Sequence, residues 1–181
     1  MEYKNELMDI LINFDMEEAV KLYKAIDNCI MNWHKVLICG NGWSAADAQH
    51  FAAELVWRFE TERMALPAIA LTTDTSILTA IANDYDYRNV FRRQVAWLGK
   101  PGDLLIAIST SGNSENVLEA VDAAKIMNMD TFGLLWKDGW KLVKECKQSI
   151  VIPSNRTSHV QELHEIIYHY VCSLIDLDLW N

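Results

Sequence analysis

Short apolar runs alternate with segments of helical periodicity, and this alternation limits what the chain can fold into. Five such runs follow one another along the sequence: 35–39, 68–71, 104–108, 132–135 and 149–152. Strands that read as continuous apolar runs are typical of parallel sheets whose two faces are covered by helices. The sequence therefore predicts an α/β fold with a five-stranded parallel sheet between two layers of helices.

Helical periodicity also precedes the first apolar run. A short pattern covers residues 1–12, and a second covers 19–33 after a break that ends at Asp15, the expected N-cap of the second helix. Neither a linker nor a repeat interrupts the chain, so we expect one domain over 1–181 with 1–33 as a helical N-terminal segment. Further helices are expected at 45–59, 90–98, 117–127 and 158–177.

The charge balance narrows the classes of partner. With 25 acidic against 16 basic residues, the formal net charge is -9, which repels nucleic acid phosphates over most of the surface. No stretch approaches the roughly 20 apolar residues of a membrane span, and the first residues lack the pattern of a signal peptide. We expect a cytoplasmic protein that binds neither nucleic acid nor membrane.

The third predicted strand ends in a loop rich in hydroxyl groups. Four hydroxyl side chains precede a predicted helix directly: Ser109, Thr110, Ser111 and Ser114. Hydroxyls beside the free amides of a helix start favour an anion such as phosphate. The alternative is a polar turn with Ser114 as the helix N-cap. The chain has no Gly-Lys-Ser/Thr sequence, which excludes a nucleotide P-loop.

The loop after the first strand resembles a dinucleotide-binding fingerprint. Residues 40–45 have the G-x-G-x-x-G/A spacing. However, the acidic residue expected about 20 residues later is found only farther on, at Asp74, and the bulky Trp43 hinders close approach of a pyrophosphate. A nicotinamide enzyme is therefore an alternative that the sequence does not favour.

Two helices carry side chains suited to a metal ion. His50 and Glu54 are four residues apart and share one helix face. On the last helix, Gln161 and His169 are eight residues apart, or about 80° around the axis. Together these four would supply the mixed nitrogen and oxygen donors that zinc or a similar divalent ion prefers. The alternative is that His50 and Glu54 form a surface pair.

Several ordered motifs resemble those of the phosphoheptose isomerases, which contain a sugar isomerase (SIS) domain and convert sedoheptulose 7-phosphate to D-glycero-D-manno-heptose 7-phosphate. Residues 41–55 resemble the first signature of that family. The later signatures are matched by 71–76, 83–85 and 108–114, and by Gln161, Glu162 and His169. The likeness extends over residues 35–175, which is nearly the whole chain.

The resemblance implies a flavodoxin-like three-layer sandwich assembled as a homotetramer. Its active sites would lie at subunit interfaces, with the 1–33 segment packing on the domain and on partner subunits. The product would be a precursor of lipopolysaccharide or capsule. No nicotinamide, flavin or nucleotide would be needed.

The resemblance also implies roles for particular residues. Glu54 and His169 would be the catalytic base and acid of a proton transfer through an enediol, without the sequence assigning which is which. One zinc ion per subunit would be held by His50, Glu54, Gln161 and His169. The substrate would contact Asn41, Gly42, Trp43, Ser44, Glu54, Asn83, Asp84, Gln161 and the phosphate-binding Ser109, Thr110, Ser111 and Ser114.

Four tryptophans stand where this family usually has glycine: Trp43, Trp57, Trp136 and Trp140. Glycine permits positive φ or close approach, and tryptophan suits neither. Trp43 would narrow the sugar pocket, stack on the sugar or block it. The alternative is that these rings fill a surface or a subunit interface.

A related branch of the SIS group is a non-enzymatic tetramer that binds a replication-initiator protein. Stretches such as 59–63 and 81–84 resemble that branch too, but it lacks the catalytic Glu and the last-helix His. Because Glu54 and His169 are present here, the sequence favours a metal-assisted aldose–ketose isomerase. The alternative is a non-catalytic SIS tetramer that binds a sugar phosphate or a replication initiator.

Overall fold

The structure, a computed structural model, describes residues 1–136 and 140–178 and contains one parallel sheet. Its strands lie in the order β2-β1-β3-β4-β5, and each neighbouring pair is parallel. The predicted five-stranded parallel sheet is thus confirmed, with the strand order of flavodoxin-like folds. The strands are β1 (Val36–Gly40), β2 (Ala68–Ala70), β3 (Leu104–Ser109), β4 (Asp130–Trp136) and β5 (Gln148–Ile152).

Helices connect the strands and cover both faces of the sheet. Most present a buried stripe at helical spacing, as α2 does with Ala19, Leu22, Ile26 and Cys29. The helices are α1 (Glu2–Asn13), α2 (Glu17–Met31), α3 (Trp43–Val56), α4 (Thr75–Asp84), α5 (Arg92–Leu98), α6 (Glu115–Ile126), α7 (Trp140–Glu145) and α8 (Thr157–Asp178).

Two apolar cores lie on the two faces of the sheet. Ile38 of β1 belongs to the core shared with α2, α3 and α8, whereas the adjacent Leu37 belongs to the core shared with α5, α6 and α7. Successive strand residues point to opposite faces, so both faces of β1 are apolar. Full burial of one such side chain contributes about 1.5–3 kcal/mol relative to exposure. The predicted three-layer sandwich is confirmed.

Two short helices were not predicted by periodicity. In α4, only Ile81 is buried among the ten residues, so the helix lacks an apolar stripe. Its start is fixed instead by Asp74, whose carboxylate accepts a hydrogen bond from the Ile77 amide at 2.8 Å. The six-residue α7 also buries a single side chain, Leu142.

The predicted helix boundaries differ from the observed ones by up to three residues, and the starts of two helices illustrate why. Helix α2 has Met16 rather than Asp15 at its N-cap position, although the Asp15 carboxylate still accepts a hydrogen bond from the Glu17 amide at 3.0 Å. Helix α3 covers Trp43–Val56 rather than the predicted 45–59. It starts earlier because Gly42, with φ of 57°, turns the chain directly into the helix.

The N-terminal segment contacts the body of the fold in two ways. Helix α2 packs in the core, while α1 has no buried residue. The Tyr3 hydroxyl of α1 donates to the Glu162 carboxylate at 2.5 Å, and Arg156 donates to Glu6 at 2.5 Å, so polar contacts connect α1 to the start of α8. Contact of this segment with partner subunits stays a prediction.

The lengths of the helices and the state of the thiols complete the description of the fold. Within the described parts of the chain, every helix is too short or too polar to cross a bilayer. The four cysteines are all buried and free. Burial raises the pKa of the Cys29 and Cys146 thiols to about 12, which keeps them protonated.

Candidate active site

The strand order reverses at β1, and such a reversal leaves a crevice between the loops on either side. Strand β1 lies between β2 and β3, so the chain leaves β1 toward one side of the sheet and later returns on the other. Gly40 at the end of β1 pairs in register with Ile108 of β3, which brings the following loops side by side. In open α/β sheets, ligands bind at such a switch point, beyond the carboxyl ends of the strands.

Three serine hydroxyls converge at the end of β3, and we call them the serine triangle. The Oγ atoms of Ser109 and Ser114 are 3.1 Å apart, those of Ser111 and Ser114 3.3 Å, and those of Ser109 and Ser111 3.4 Å. Ser109 is the last residue of β3, and Ser114 directly precedes α6. The predicted hydroxyl cluster is therefore assembled, with the half-buried Thr110 between its members.

Ser114 occupies the N-cap position of α6, as the alternative interpretation required. Its hydroxyl makes no capping hydrogen bond, however, and lies in the serine triangle instead. The Val117 amide donates to the Ser114 carbonyl at 3.1 Å, whereas the Glu115 and Asn116 amides have no acceptor within the described chain and are left for another one. An anion at this point would meet both hydroxyl donors and the positive end of a helix.

A pair of asparagines joins the loop after β1 to the start of α6. The Asn41 amide nitrogen donates to the Asn116 side-chain oxygen at 2.8 Å, and Asn116 donates back to Asn41 at 2.7 Å. The Tyr87 hydroxyl adds a bond of 3.3 Å to the Asn41 oxygen. Asn116 is buried, and sequence reasoning missed it; its position two residues after Ser114 was the available signal.

Close packing at the start of α3 shapes the other wall of the crevice. A Cβ on Gly40 would lie 2.6 Å from the carbonyl oxygen of Ser44, so only glycine fits at that point. Ser44 is buried, and Gly42 adopts positive φ. Trp43 is the first residue of α3 and is 58% exposed, so its ring is open to the solvent beside this loop.

The other three tryptophans at family glycine positions lie at the ends of three different elements. Trp57 follows α3 and is exposed, whereas Trp136 ends β4 and donates its ring N–H to the Ser154 carbonyl. Trp140 begins α7 with φ of 32°. Of the four, only Trp140 needs the backbone conformation that glycine favours. Residues 137–139 of the same family motif lie outside the described residues.

Asn83 and Asp84 are at the C-terminal end of α4, where both are exposed. The Asn83 amide donates to the Asp84 carboxylate at 2.8 Å. Within the described chain, neither side chain hydrogen-bonds to the serine triangle or to Asn41.

Helices α3 and α8 bring three potential metal ligands together. His50 Nε2 lies 3.0 Å from Glu54 Oε1 and 3.5 Å from His169 Nε2, and the three ligand atoms lie within 4.8 Å of one another. Ligand atoms about 2 Å from one tetrahedral zinc ion are about 3.3 Å apart, which these separations approach. Two imidazoles and a carboxylate are also the donor types of zinc sites. The residues therefore fit a zinc ion.

Gln161, the fourth predicted ligand, lies near the start of α8 and is half-buried. It precedes His169 by two turns, or about 12 Å along the helix axis. Its side chain forms no hydrogen bond to a residue that the structure describes. The structure thus brings together three of the four predicted ligands of this chain and leaves the fourth apart.

Acidic and phenolic groups surround His50. Asp47 is buried one turn earlier in α3, and burial, helped by the nearby Glu165 carboxylate, raises its pKa to about 7. The hydroxyl of the buried Tyr168 lies 2.9 Å from His50 Nδ1. Sequence reasoning missed both residues, although Asp47 falls within the matched signature and Tyr168 adjoins His169.

Known proteins of one family are similar to this chain over most of its length. A family model described as the SIS domain matches residues 2–135. A phosphoheptose isomerase of Aliarcobacter butzleri is 53% identical over 163 residues, covering 90% of this chain and 86% of that protein. One of Nitratiruptor sp. is 56% identical over 158 residues, covering 86% of this chain and 84% of its own length.

Solved structures gave the same result. A phosphoheptose isomerase of Francisella tularensis superposes with a TM-score of 0.93 at 38% identity, covering 97% of this chain and 95% of that one. The enzyme of Neisseria gonorrhoeae has a TM-score of 0.85 at 46% identity, covering 96% and 90%.

The fold and the hydroxyl-lined crevice define a SIS-domain enzyme of the sugar-phosphate isomerase class. Within that class, the chain belongs to the phosphoheptose isomerase family. Membership of a family of isomerases decides against both the nicotinamide alternative and the non-catalytic one.

Proposed function

We propose that this chain converts sedoheptulose 7-phosphate to D-glycero-D-manno-heptose 7-phosphate, with a bound zinc ion and an enediol intermediate. The convergence of His50, Glu54 and His169 from two helices is the observation that carries the proposal. The names of the relatives support the substrate class, since all those cited are phosphoheptose isomerases.

The serine triangle is the proposed phosphate site. Its three hydroxyls and the uncapped first turn of α6 offer several donors to one dianion. Because the net charge of the chain is -9, an anionic substrate must be bound by such local donors rather than by the overall field. Asn41, Gly42 and Ser44 at the neighbouring loop are the proposed sugar contacts, with Trp43 exposed beside them.

The reaction moves protons between two adjacent carbons and their oxygens. A base removes a proton from C1 of the ketose while an acid protonates the carbonyl oxygen at C2, which gives the enediol. Return of a proton to C2 and loss of one from the C1 hydroxyl then give the aldose. Glu54 and His169 are the proposed pair of groups, and both are half-buried, within reach of a substrate.

Zinc would be held by His50, Glu54 and His169, with Gln161 as the further ligand that the family resemblance implies. When bound, the ion would polarise the carbonyl and stabilise negative charge that develops on oxygen. A side chain cannot bind a metal and remove a proton with the same lone pair. We therefore expect that only one of Glu54 and His169 transfers protons, or that one of them leaves the metal when substrate binds.

The family resemblance extends the proposal to a homotetramer with active sites at its interfaces. A partner subunit would then complete the site beside Trp43, Asn83 and Gln161, which are exposed or half-buried in this chain. A cytoplasmic location also stays a prediction.

Purified protein with zinc tests the proposal directly. Conversion of sedoheptulose 7-phosphate in D₂O should place deuterium at C2 of the product. The base that removes the C1 proton exchanges it with the solvent at the enediol stage and then returns deuterium to C2. Glu54→Gln and His169→Gln should each lower kcat by about 10²–10⁴-fold, whereas the exposed Glu62→Gln is the matched control. Unchanged turnover in both variants would remove these residues from the mechanism.

A further inference from the structure

Tyr168 contacts both imidazoles of the candidate metal site. Its ring meets the rings of His169 and His50 edge-on, with centroids at 4.9 Å and 5.4 Å. It stacks on Phe51 at 5.1 Å and is fully buried. The tyrosine ring therefore has one orientation, fixed by packing, and lies against two ligands contributed by two different helices.

The two nitrogens of His50 face different partners. Nε2 points to Glu54 and His169, so it is the nitrogen that would bind a metal. Nδ1 faces the Tyr168 hydroxyl at 2.9 Å. The Glu165 carboxylate is 3.7 Å from Nδ1, which is too far for a hydrogen bond. Tyr168 is thus the hydrogen-bond partner of Nδ1 within residues 1–136 and 140–178.

Metal binding requires a change of tautomer at His50. Without a metal, a neutral His50 donates Nε2–H to the Glu54 carboxylate, and Nδ1 accepts from the Tyr168 hydroxyl. When Nε2 binds a metal ion, the proton must be on Nδ1, which then needs an acceptor. A hydroxyl can donate in the first state and accept in the second, whereas a carbonyl or an amide N–H serves only one of them.

We propose that Tyr168 is a positioning residue whose hydroxyl holds the His50 ring in place in both tautomers, so that Nε2 is presented to zinc. The proposal rests on the proposed zinc-dependent function. The 2.9 Å separation of this hydroxyl from Nδ1 and the buried, stacked ring support the role, since a tyrosine hydroxyl can donate or accept a hydrogen bond.

Asp47 is the candidate acceptor for the hydroxyl hydrogen in the zinc-bound state. Its Oδ2 atom is buried without a hydrogen-bond partner in the described chain, and its carboxyl group interacts electrostatically with the Tyr168 hydroxyl. A chain from Asp47 through Tyr168 to His50 would then satisfy each donor, in the way that outer groups orient metal-binding histidines.

Zinc affinity of the Tyr168→Phe variant tests this role, because phenylalanine keeps the ring and removes only the hydroxyl. The zinc Kd, measured by competition with a chromogenic chelator, should rise about 10–100-fold. Tyr170→Phe is the matched control, since Tyr170 is on the same helix and 36% exposed. Equal zinc affinity in Tyr168→Phe and the unaltered protein would overturn the role of Tyr168, even if the variant melts at a lower temperature.

The tautomer of His50 distinguishes the proposed role from simple packing, because loss of packing alone would not change which ring nitrogen carries the proton. Long-range ¹H–¹⁵N spectra of the unaltered protein should show His50 protonated at Nε2 without metal and at Nδ1 with zinc. In Tyr168→Phe, only the Glu54 carboxylate still favours the Nε2–H form, so this form should be less populated in the metal-free ring than in the unaltered protein. The same preference in both proteins would contradict the proposal. Failure of the unaltered protein to bind zinc would overturn the metal site and the tyrosine role together.

Discussion

Asn41 and Asn116 hydrogen-bond to each other in both directions through their side-chain amides, at 2.8 Å and 2.7 Å. One residue follows β1, and the other lies in the first turn of α6. The pair therefore fixes the proposed sugar-binding loop relative to the proposed phosphate site. Both sites would then keep the spacing that one substrate molecule requires.

Asn116→Ala should loosen this connection. Each single alanine variant of the pair breaks both bonds, so the unfolding free energies of Asn41→Ala, Asn116→Ala and the double variant should show a coupling of about 1 kcal/mol. Urea denaturation measures the three values, and Asn32→Ala, which removes an exposed amide, is the control. Additive effects would contradict the connection. In the active enzyme, KM should rise about tenfold while kcat changes less.

Ser114→Ala should weaken anion binding with little effect on stability. Its hydroxyl belongs to the serine triangle and does not cap α6, so loss of one donor should raise the Kd for inorganic phosphate about 5–10-fold, or about 1–1.4 kcal/mol. Calorimetric titration measures this, with Ser173→Ala as the control because its hydroxyl donates only within α8. A loss of about 1 kcal/mol of stability with unchanged phosphate affinity would favour the capping interpretation.

Gly40→Ala should destabilise the fold by about 1–3 kcal/mol, since its new methyl group would overlap the Ser44 backbone. Gly42→Ala is the informative comparison. A Cβ there meets no atom within 4 Å, so its cost should come only from the backbone conformation, φ of 57° with ψ of -120°, and be about 1–3 kcal/mol. Urea denaturation at one pH compares the two. Stability equal to that of the unaltered protein in Gly40→Ala would disprove the close approach.

Asp47→Asn should change how stability depends on pH. The pKa of Asp47 is raised from 3.8 to about 7, chiefly by burial, so the folded state keeps a proton that the unfolded state releases. This group therefore lowers the free energy of unfolding as the pH rises from about 4 to about 7. Asparagine cannot ionise, so the Asp47→Asn variant should not lose this part of its free energy of unfolding as the pH rises.

The free energy of unfolding of Asp47→Asn, relative to that of the unaltered protein, should therefore be higher at pH 8 than at pH 5. Urea denaturation in the presence of a chelator measures the difference, and the exposed Asp9→Asn controls for removal of one negative charge. The same difference at both pH values would show that Asp47 ionises normally in the folded state.

The sheet was predictable because its central strands β1 and β3 are apolar runs whose residues are all buried, so both of their faces are covered. Helix α4 was not, because it has a single buried side chain and depends on the Asp74 cap. Residue type and position at a strand end were enough to predict the serine loop. That Ser114 does not cap α6 follows from the turn geometry, which spacing does not encode.

The metal ligands were predictable only where local spacing determines their arrangement. His50 and Glu54 share a helix face by spacing alone, whereas their contact with His169 depends on how α3 packs against α8. Tyr168 was missed because its contact with His50 joins residues 118 positions apart. Helix register between such distant segments is set by core packing, with Phe51 against Tyr168, and not by any local pattern.

Ser109 still belongs to β3, and Ser114 directly precedes α6, so both ends of the hydroxyl loop are anchored in the framework. Asn83 and Asp84, by contrast, occupy an exposed helix end. The family resemblance implies sugar contacts at that helix end, so substitutions there should change which sugar is accepted while the proposed phosphate site is kept. A fold with this division can accept different substrates through changes at the exposed end of α4, while the loop between β3 and α6 stays the same.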